Sequence, residues 1–327
     1  MTSPCDEPSE RVPKPPLTHI GPETSQKTPL TSTFRPENLV IPKKLLIFAP
    51  KYRKKIMNLT NPFTRREASE DPKVILEWAI DWAMAAGKLQ MEKFRSRHLE
   101  MGTKSSIHDV VTEVDKACEQ MLIEKISQTY PTHSILGEET GQHRHEGSDW
   151  EWVVDPLDGT NNYSQGLPAF CVSIGVRYRG FTQVGVVYCP KLDELYTAVR
   201  GEGAQLNGRT IHVSRKHNLD ECVLATGFPY DKGTTSTADN NLDNVVRMVP
   251  QLRGIRRMGS AAYDLCSVAA GWLDGYWELN LKPWDVCAGE LIVEEAGGII
   301  RPFREDRCIS IAAGNESIVN QILKNVK

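Results

Sequence analysis

The sequence predicts a layered α/β fold in which mixed sheets are covered by helices. Three observations carry that expectation. Amphipathic helical periods stand at both ends of the patterned region, strand patterns joined by Gly- and Asn-containing turns fill its middle, and helical and strand patterns alternate beyond residue 239. With 327 residues, the chain can form one large unit or two small ones.

Up to Asp71 the chain is rich in Pro, Ser, Thr and Lys, holds eleven of the twenty prolines, and keeps neither period. Residues 1–71 are therefore expected to be a largely disordered extension, and 72–327 the folded domain. Within the extension, PKKLLIFAPKYRKKIMNL mixes basic and apolar residues. It suits a presequence, a docking segment, a membrane-surface anchor or a plain tail, although Asp6, Glu7, Glu10, Glu23 and Glu37 sit badly with a transit peptide.

Order is expected from Pro72, where Asp71 can cap a helix with proline at its first position. Ile75, Leu76, Ala79, Trp82, Ala83, Ala86 and Leu89 follow at helical spacing. A second helix is expected after Asp109, with Val110, Val114, Ala117, Met121, Leu122 and Ile126 buried, Asp115 in its first turns and Pro131 ending it. SILGEE and EWVVD read as short strands, and FCVSIGVRY, TQVGVVY, ELYTAVRG and AQLNGRTIHV as antiparallel strands with tight turns. Helices and strands then alternate from NNLDNVVRMVPQL to ESIVNQILKN.

A formal net charge of -3 offers no basic field for nucleic acid, so no nucleic-acid partner is expected. No apolar run approaches the roughly 20 residues of a membrane helix, so no transmembrane segment is expected. The eight cysteines are scattered without a Cys-x-x-Cys pair, which favours a reducing compartment. The expected location is the cytoplasm, with organelle targeting through the extension left open. His143 and His145 could pair on a metal, but lie in a polar loop without the companion ligands such a site needs.

In EWVVDPLDGTNNY a strand pattern reaches Asp155, Pro156 bends the chain, and Asp158 follows three residues after Asp155. The bend lets Asp155, the Leu157 carbonyl and Asp158 point into one small space, a donor set suited to hard divalent cations. Gly159 and Thr160 then open a turn or helix whose N–H groups can approach an anion. The same residues are also good turn formers, and alone they leave both readings open. Glu138 and Glu139 end another short strand in SILGEET, and Asp285 sits in the first turn of a helix in LKPWDVCAGE, where an acid also simply meets the helix dipole.

WVVDPLDGTNNY and KPWDVCAGELIVEEAGG together resemble the two signatures of the inositol monophosphatase family. KSSIHDVVTEVD, ILGEE, GVVYCP, GEGAQLNG and RRMGSAAYDLC fall around them in family order. The resemblance runs from about residue 74 to the C-terminus. It implies an αβαβα sandwich of the sugar-phosphatase type and Mg2+-dependent hydrolysis of a phosphate monoester on a small polyol, with on the order of two or three Mg2+ per site. It makes Glu138, Asp155, Leu157 (through its carbonyl), Asp158 and Asp285 the metal ligands. Gly159 and Thr160 become the phosphate cradle. Asp115 and Thr160, with Glu138, activate the attacking water. Ala261 and Glu278 face the alcohol, with Thr226 and Gly227 as lesser contacts and Asp264 as either a polyol contact or a helix acid. Lys104 and Glu139 support the ligands. Lithium inhibition and a homodimer are implied in the same way.

Histidinol phosphate, fructose bisphosphate and bisphosphate nucleotide are alternative substrates on the same motifs. A non-catalytic binding protein of this fold is the alternative from another class, and the presence of every matched acid stands against it. The sequence departs from the family pattern in IIRPFREDRC, a short and charged stretch between Gly298 and Ser310. His108 and Asn161 carry no assigned role, and Trp277 and Trp284 are expected to pack around the site.

Overall fold

The computed structural model describes residues 68–96, 99–104, 110–231, 233 and 235–327. The extension up to residue 67 lies outside them, as do residues 105–109 with His108. Helix α1 (Pro72–Lys93) starts where its sequence dictates: Asp71 Oδ1 accepts from the Lys73 N–H at 2.9 Å, a cap worth about 1 kcal/mol. Ile75, Ala79, Trp82, Ala83 and Ala86 are buried along one face, with Leu76 and Leu89 at its margin.

The second helix begins later than expected. Val110 belongs to β2 (Val110–Thr112), which pairs antiparallel with β1 (Met101–Thr103), and α2 (Glu113–Thr129) follows. The cause is a capping box: Thr112 Oγ1 accepts from the Val114 N–H at 3.1 Å while Asp115 Oδ2 accepts from the Thr112 N–H at 2.9 Å.

The first sheet holds β3 (Ser134–Gly137), β4 (Gly141–His143), β5 (Trp150–Asp158), β6 (Cys171–Tyr178), β7 (Phe181–Cys189), β8 (Glu194–Val199), β9 (Ala204–Leu206) and β10 (Arg209–Thr210). Its order is β10-β9-β8-β7-β6-β5-β3-β4, antiparallel except where β3 runs beside β5. Short helix α3 (Thr160–Ser164) follows β5. The second sheet holds β11 (Val223–Thr226), β12 (Gly254–Arg256), β13 (Gly275–Leu281), β14 (Ile299–Arg304) and β15 (Ile309–Gly314) in the order β12-β11-β13-β15-β14. The later helices are α4 (Leu242–Met248), α5 (Ala261–Ala269), α6 (Pro283–Glu295) and α7 (Glu316–Leu323).

Three hydrophobic cores define five layers. The first, with Ile75, Leu122, Trp152 and Ile174, joins α1 and α2 to the first sheet. The second, with Val187, Leu265, Ala288 and Ile292, places α5 and α6 between the sheets. The third, with Leu224, Trp277, Ile318 and Ile322, sets α7 on the far face of the second sheet, beside Met248 of α4. This is the layered αβαβα arrangement.

Two details of this stack position the site. Helix α6 lies flat on the first sheet because Gly175 and Gly185 carry no Cβ; one added at Gly175 would fall 2.3 Å from Cys287 Sγ, and one at Gly185 would fall 2.8 Å from the Ala288 carbonyl oxygen. Strand β5 continues past Pro156 to Asp158, where a bend ending the strand at Asp155 was expected. Asp155 faces Ser173 and Asp158 faces Cys171, so three steps on β5 oppose two on β6. A spacing of three in a regular strand puts side chains on opposite faces; the extra residue brings both aspartates to one side.

Candidate active site

A cavity of about 330 Å³ opens where the ends of β5 and β13 meet the first turns of α3, α5 and α6. Glu138, Asp155, Asp158 and Asp285 line one end, and Glu278, Arg257 and the stretch from Gly227 to Asp231 line the other. Three helix N-termini open on one pocket, and their dipoles favour an anion there, although in α5 the Ala262 N–H is already taken by Asp158. Gly159 takes φ 90° at the start of α3, and an added Cβ would fall 2.8 Å from the Ala169 carbonyl oxygen. Only glycine fits both demands.

Each acid is held by its own donors. Asp155 Oδ1 accepts from the Leu157 N–H at 2.9 Å. Asp158 Oδ2 accepts from Ser260 Oγ at 2.6 Å and from the Ala262 N–H at 2.8 Å. Asp285 Oδ2 accepts from the Lys282 N–H at 2.7 Å. Glu138 Oε1 pairs with Lys104 Nζ at 2.7 Å, and the same ammonium contacts Glu139. Among the described residues, no three carboxyl, imidazole or thiol groups are drawn together into a ready coordination shell.

Burial and mutual repulsion set how these acids carry charge. Burial pushes Asp155 well above the carboxylate range, and the neighbouring charges of Glu138, Asp158 and Asp285 push it further. Burial also raises Asp285, helped by Asp158 and Glu138, and raises Asp158 against the hydrogen bonds of Ser260, Ala262 and Ala261. Glu138 is raised to about 7 by burial, although Lys104 opposes the shift. Burial disfavours the charge of Lys104, but the two glutamates outweigh it and hold the ammonium protonated above its usual range. Four buried acids whose charges repel one another, an all-oxygen donor set, and a buried Glu138 Oε2 without a hydrogen-bond donor together fit hard divalent cations.

Thr160 joins this end to Asp115. Its Oγ1 lies 2.8 Å from Asp115 Oδ1 and 2.9 Å from the Leu157 carbonyl oxygen. Asp115 is fully buried, raised by burial, and receives hydrogen bonds from the Thr112 N–H and Oγ1 as well as from Thr160. It does not line the cavity; Thr160 does.

At the opposite end Glu278 stands half-buried on β13, accepts from Tyr276 Oη at 2.6 Å, and is raised to about 7 by burial against Tyr276 and Arg257. Gly227 makes room for it: a Cβ there would fall 2.0 Å from Glu278 Oε1. Ala261 lines the pocket. Thr226 does not, because its buried hydroxyl donates to the Trp277 carbonyl at 2.6 Å and accepts from Asn241 Nδ2 at 2.8 Å. Asp264 is buried in the first turn of α5 and is absent from the lining. Trp277 is core, whereas Trp284 faces the cavity. His143 turns to Thr140 Oγ1 at 2.6 Å on the exposed rim, away from the pocket.

Several residues that position the site carried no motif of their own. Glu119 is fully buried and accepts the N–H groups of Glu139 at 2.9 Å and Thr140 at 2.7 Å, fixing the turn that presents Glu138. Gly137 admits it, since a Cβ there would lie 2.7 Å from the Glu119 carboxyl. Glu119 is one helical turn beyond Asp115, a spacing that could have flagged it. Gln90 Nε2 holds the Pro156 carbonyl at 2.8 Å from α1. Ser260, which caps α5, was legible as a helix start but not as the donor to Asp158.

A model of the inositol monophosphatase family matches residues 71–323. The Escherichia coli protein named Nus factor SuhB is 42% identical over 257 residues, covering 77% of this chain and 96% of that protein. Among solved structures, the extragenic suppressor protein suhB of Bartonella henselae superposes with a TM-score of 0.72 at 36% identity, over 77% of this chain and 98% of that one. An inositol monophosphatase from Anabaena superposes with a TM-score of 0.69 at 38% identity, over 77% and 95%.

Proposed function

The chain belongs to the inositol monophosphatase family, and from that premise we propose that it hydrolyses a phosphate monoester of a small polyol, with inositol monophosphate the preferred substrate. The observation that carries the reading is the polarity of one cavity: strand-end carboxylates and three helix N-termini at one end, Glu278 at the other. In this reading Glu138, Asp155, the Leu157 carbonyl, Asp158 and Asp285 hold Mg2+. Bound Mg2+ would supply positive charge against the phosphate dianion and acidify a water.

The chain's own residues do the rest. The N–H groups of Gly159 and Thr160 receive phosphate oxygens at the start of α3. Thr160 Oγ1 commits its proton to Asp115, which leaves its lone pairs to accept from the attacking water and aim it. Asp115 is in turn fixed by Thr112, so the pair is oriented before substrate arrives. Lys104 opposes the burial that disfavours charge on Glu138 and Glu139. Glu278 accepts alcohol hydroxyls. A homodimer, lithium inhibition and a cytoplasmic location go with the same reading.

One observation favours a second role. Relatives at 42% identity are named as a factor and not as an enzyme, so a protein partner acting through this fold is the alternative. A phosphate-release panel separates the two: inositol 1-phosphate, histidinol phosphate, fructose 1,6-bisphosphate and adenosine 3′,5′-bisphosphate, each with Mg2+ and with EDTA. Turnover that needs Mg2+ and is fastest on inositol 1-phosphate is the expected result. A wild-type protein inert on all four esters would leave only the partner role.

A further inference from the structure

The short charged stretch after Gly298 has no part in the metal end, yet it touches both walls of the alcohol end. One wall runs from Gly227 through Phe228, Pro229 and Tyr230 to Asp231. Its base is tied by Asn241, whose Nδ2 donates to the Gly227 carbonyl at 2.7 Å. Its outer end is tied from the turn between β14 and β15. Arg307 Nη2 reaches Asp231 Oδ1 at 3.0 Å and Oδ2 at 2.9 Å, and the Asp239 carbonyl at 3.3 Å. Arg304 reaches Asp239 Oδ1 at 2.9 Å and the Ala238 carbonyl at 3.3 Å, and is braced by Asp306.

The opposite wall is the end of β13, and the same turn holds it. Ser310 Oγ accepts from the Asn280 N–H at 3.2 Å and donates to the Arg307 carbonyl at 2.8 Å. Asn280 lines the cavity at φ 64°, where β13 breaks its register with β15. Ser310 is buried, and the two arginine side chains keep only 15% and 19% of their surface exposed. One turn therefore grips Asp231 through its guanidinium and Asn280 through its serine.

We propose that the 304–310 turn is a strut that sets the width of the alcohol end of the pocket, and with it the size of ester the site accepts. The inference rests on the phosphatase reading and deepens it: the strut selects esters whose alcohol is about one polyol ring over bulkier bisphosphates. Arg307 is a positioning residue, acting through Asp231 and touching no reacting atom. A short turn reaches both walls only because few residues separate β14 from β15.

The test compares wild type, Arg307→Ala and the charge swap Arg307→Asp/Asp231→Arg on the four-ester panel. For Arg307→Ala, KM for inositol 1-phosphate should rise about 3- to 10-fold, as expected for loss of a partly shielded ion-pair network. The bulkier bisphosphates should gain relative to it in kcat/KM, while kcat and the Mg2+ titration midpoint stay within about twofold. The swap should recover most of the KM. An unchanged KM and ester ranking in Arg307→Ala, or loss that tracks Mg2+ affinity, overturns the strut. If wild type is inert on every ester, the phosphatase reading fails separately, and hydrogen exchange then judges the strut. Amides of Gly227, Phe228, Tyr230, Asp231 and Asn280 should exchange faster in Arg307→Ala and regain protection in the swap; unchanged exchange overturns it.

Discussion

The two ends of the cavity are built in different ways. At the acid end each acid leaves a tightly fixed piece of backbone: a bulge in β5 that Gln90 holds at Pro156 aims Asp155 and Asp158, a turn gripped by the Glu119 side chain aims Glu138, and the first turn of α6 aims Asp285. At the alcohol end the wall from Gly227 to Asp231 is an irregular stretch held by side chains from elsewhere, Asn241 at its base and Arg307 at its tip. Charge that must be held against repulsion needs a rigid frame, whereas recognition of hydroxyls tolerates a wall that can be restyled by exchanging an ion pair. On the proposed reading, the chemistry is thereby separated from the choice of substrate within one small pocket.

The comparison breaks first at Asp155. Asp155→Asn should lower Mg2+-dependent phosphate release by more than about 100-fold, beyond the loss typical of a residue behind the ligands. Its melting temperature in EDTA should stay level or rise, because a buried acid among like charges is removed. A variant that retains turnover, or that unfolds, would mean the acid end is structural.

Next comes Glu119→Gln, which removes one acceptor and turns an amide donor toward the N–H groups of Glu139 or Thr140. Mg2+ affinity should weaken about 10- to 100-fold, with kcat regained at saturating Mg2+. A loss of kcat with unchanged Mg2+ dependence would show that Glu119 serves the fold alone.

The smallest effect sharpens the contrast through pH. Glu138 and Glu278 are both raised from 4.5 to about 7 in the fold, the first at the acid end and the second at the alcohol end. Below pH 4.5 both are protonated whether the chain is folded or not. Between there and pH 7 the unfolded chain gives up these protons first, so stability falls as pH rises, and the loss is complete above 7. Saturating Mg2+ should abolish the Glu138 part and leave the Glu278 part, which Glu278→Gln should then remove. Each kcal/mol appears as about 2–4 °C in Tm, so thermal scans at pH 5 and pH 8, with Mg2+ and with EDTA, resolve the two. Equal behaviour of both ends toward Mg2+ would erase the distinction between them.

The same asymmetry governs what the sequence revealed. Helix α1 and most strands of both sheets announced themselves by cap and period, because burial on one face leaves a repeating trace, whereas the exposed β4, read as a polar loop, leaves none. The acid end was legible for a related reason: its ligands cluster in short stretches with Pro and Gly between them, since a bulge and a left-handed turn need those residues. The start of α2 was misplaced because Val110 continues the apolar period into a strand, although Thr112 and Asp115 carried the capping signal that marks the true start. Arg307 and Asp231 stand 76 positions apart, and a pairing across that distance leaves no local pattern. Thr226 was misassigned for a similar reason, its hydroxyl being claimed by Asn241 and Trp277.

Gly175 and Gly185, on which α6 rests, give this division a genetic meaning. An alanine at either position would be scored as a mild change in a buried strand, far in sequence from any ligand. The extra methyl group would nonetheless lift the helix that carries Asp285 while Asp155 and Asp158 stayed with their strand. When inherited variants of this protein are ranked by expected harm, alleles at these two glycines belong beside alleles of Asp155, Asp158 and Asp285.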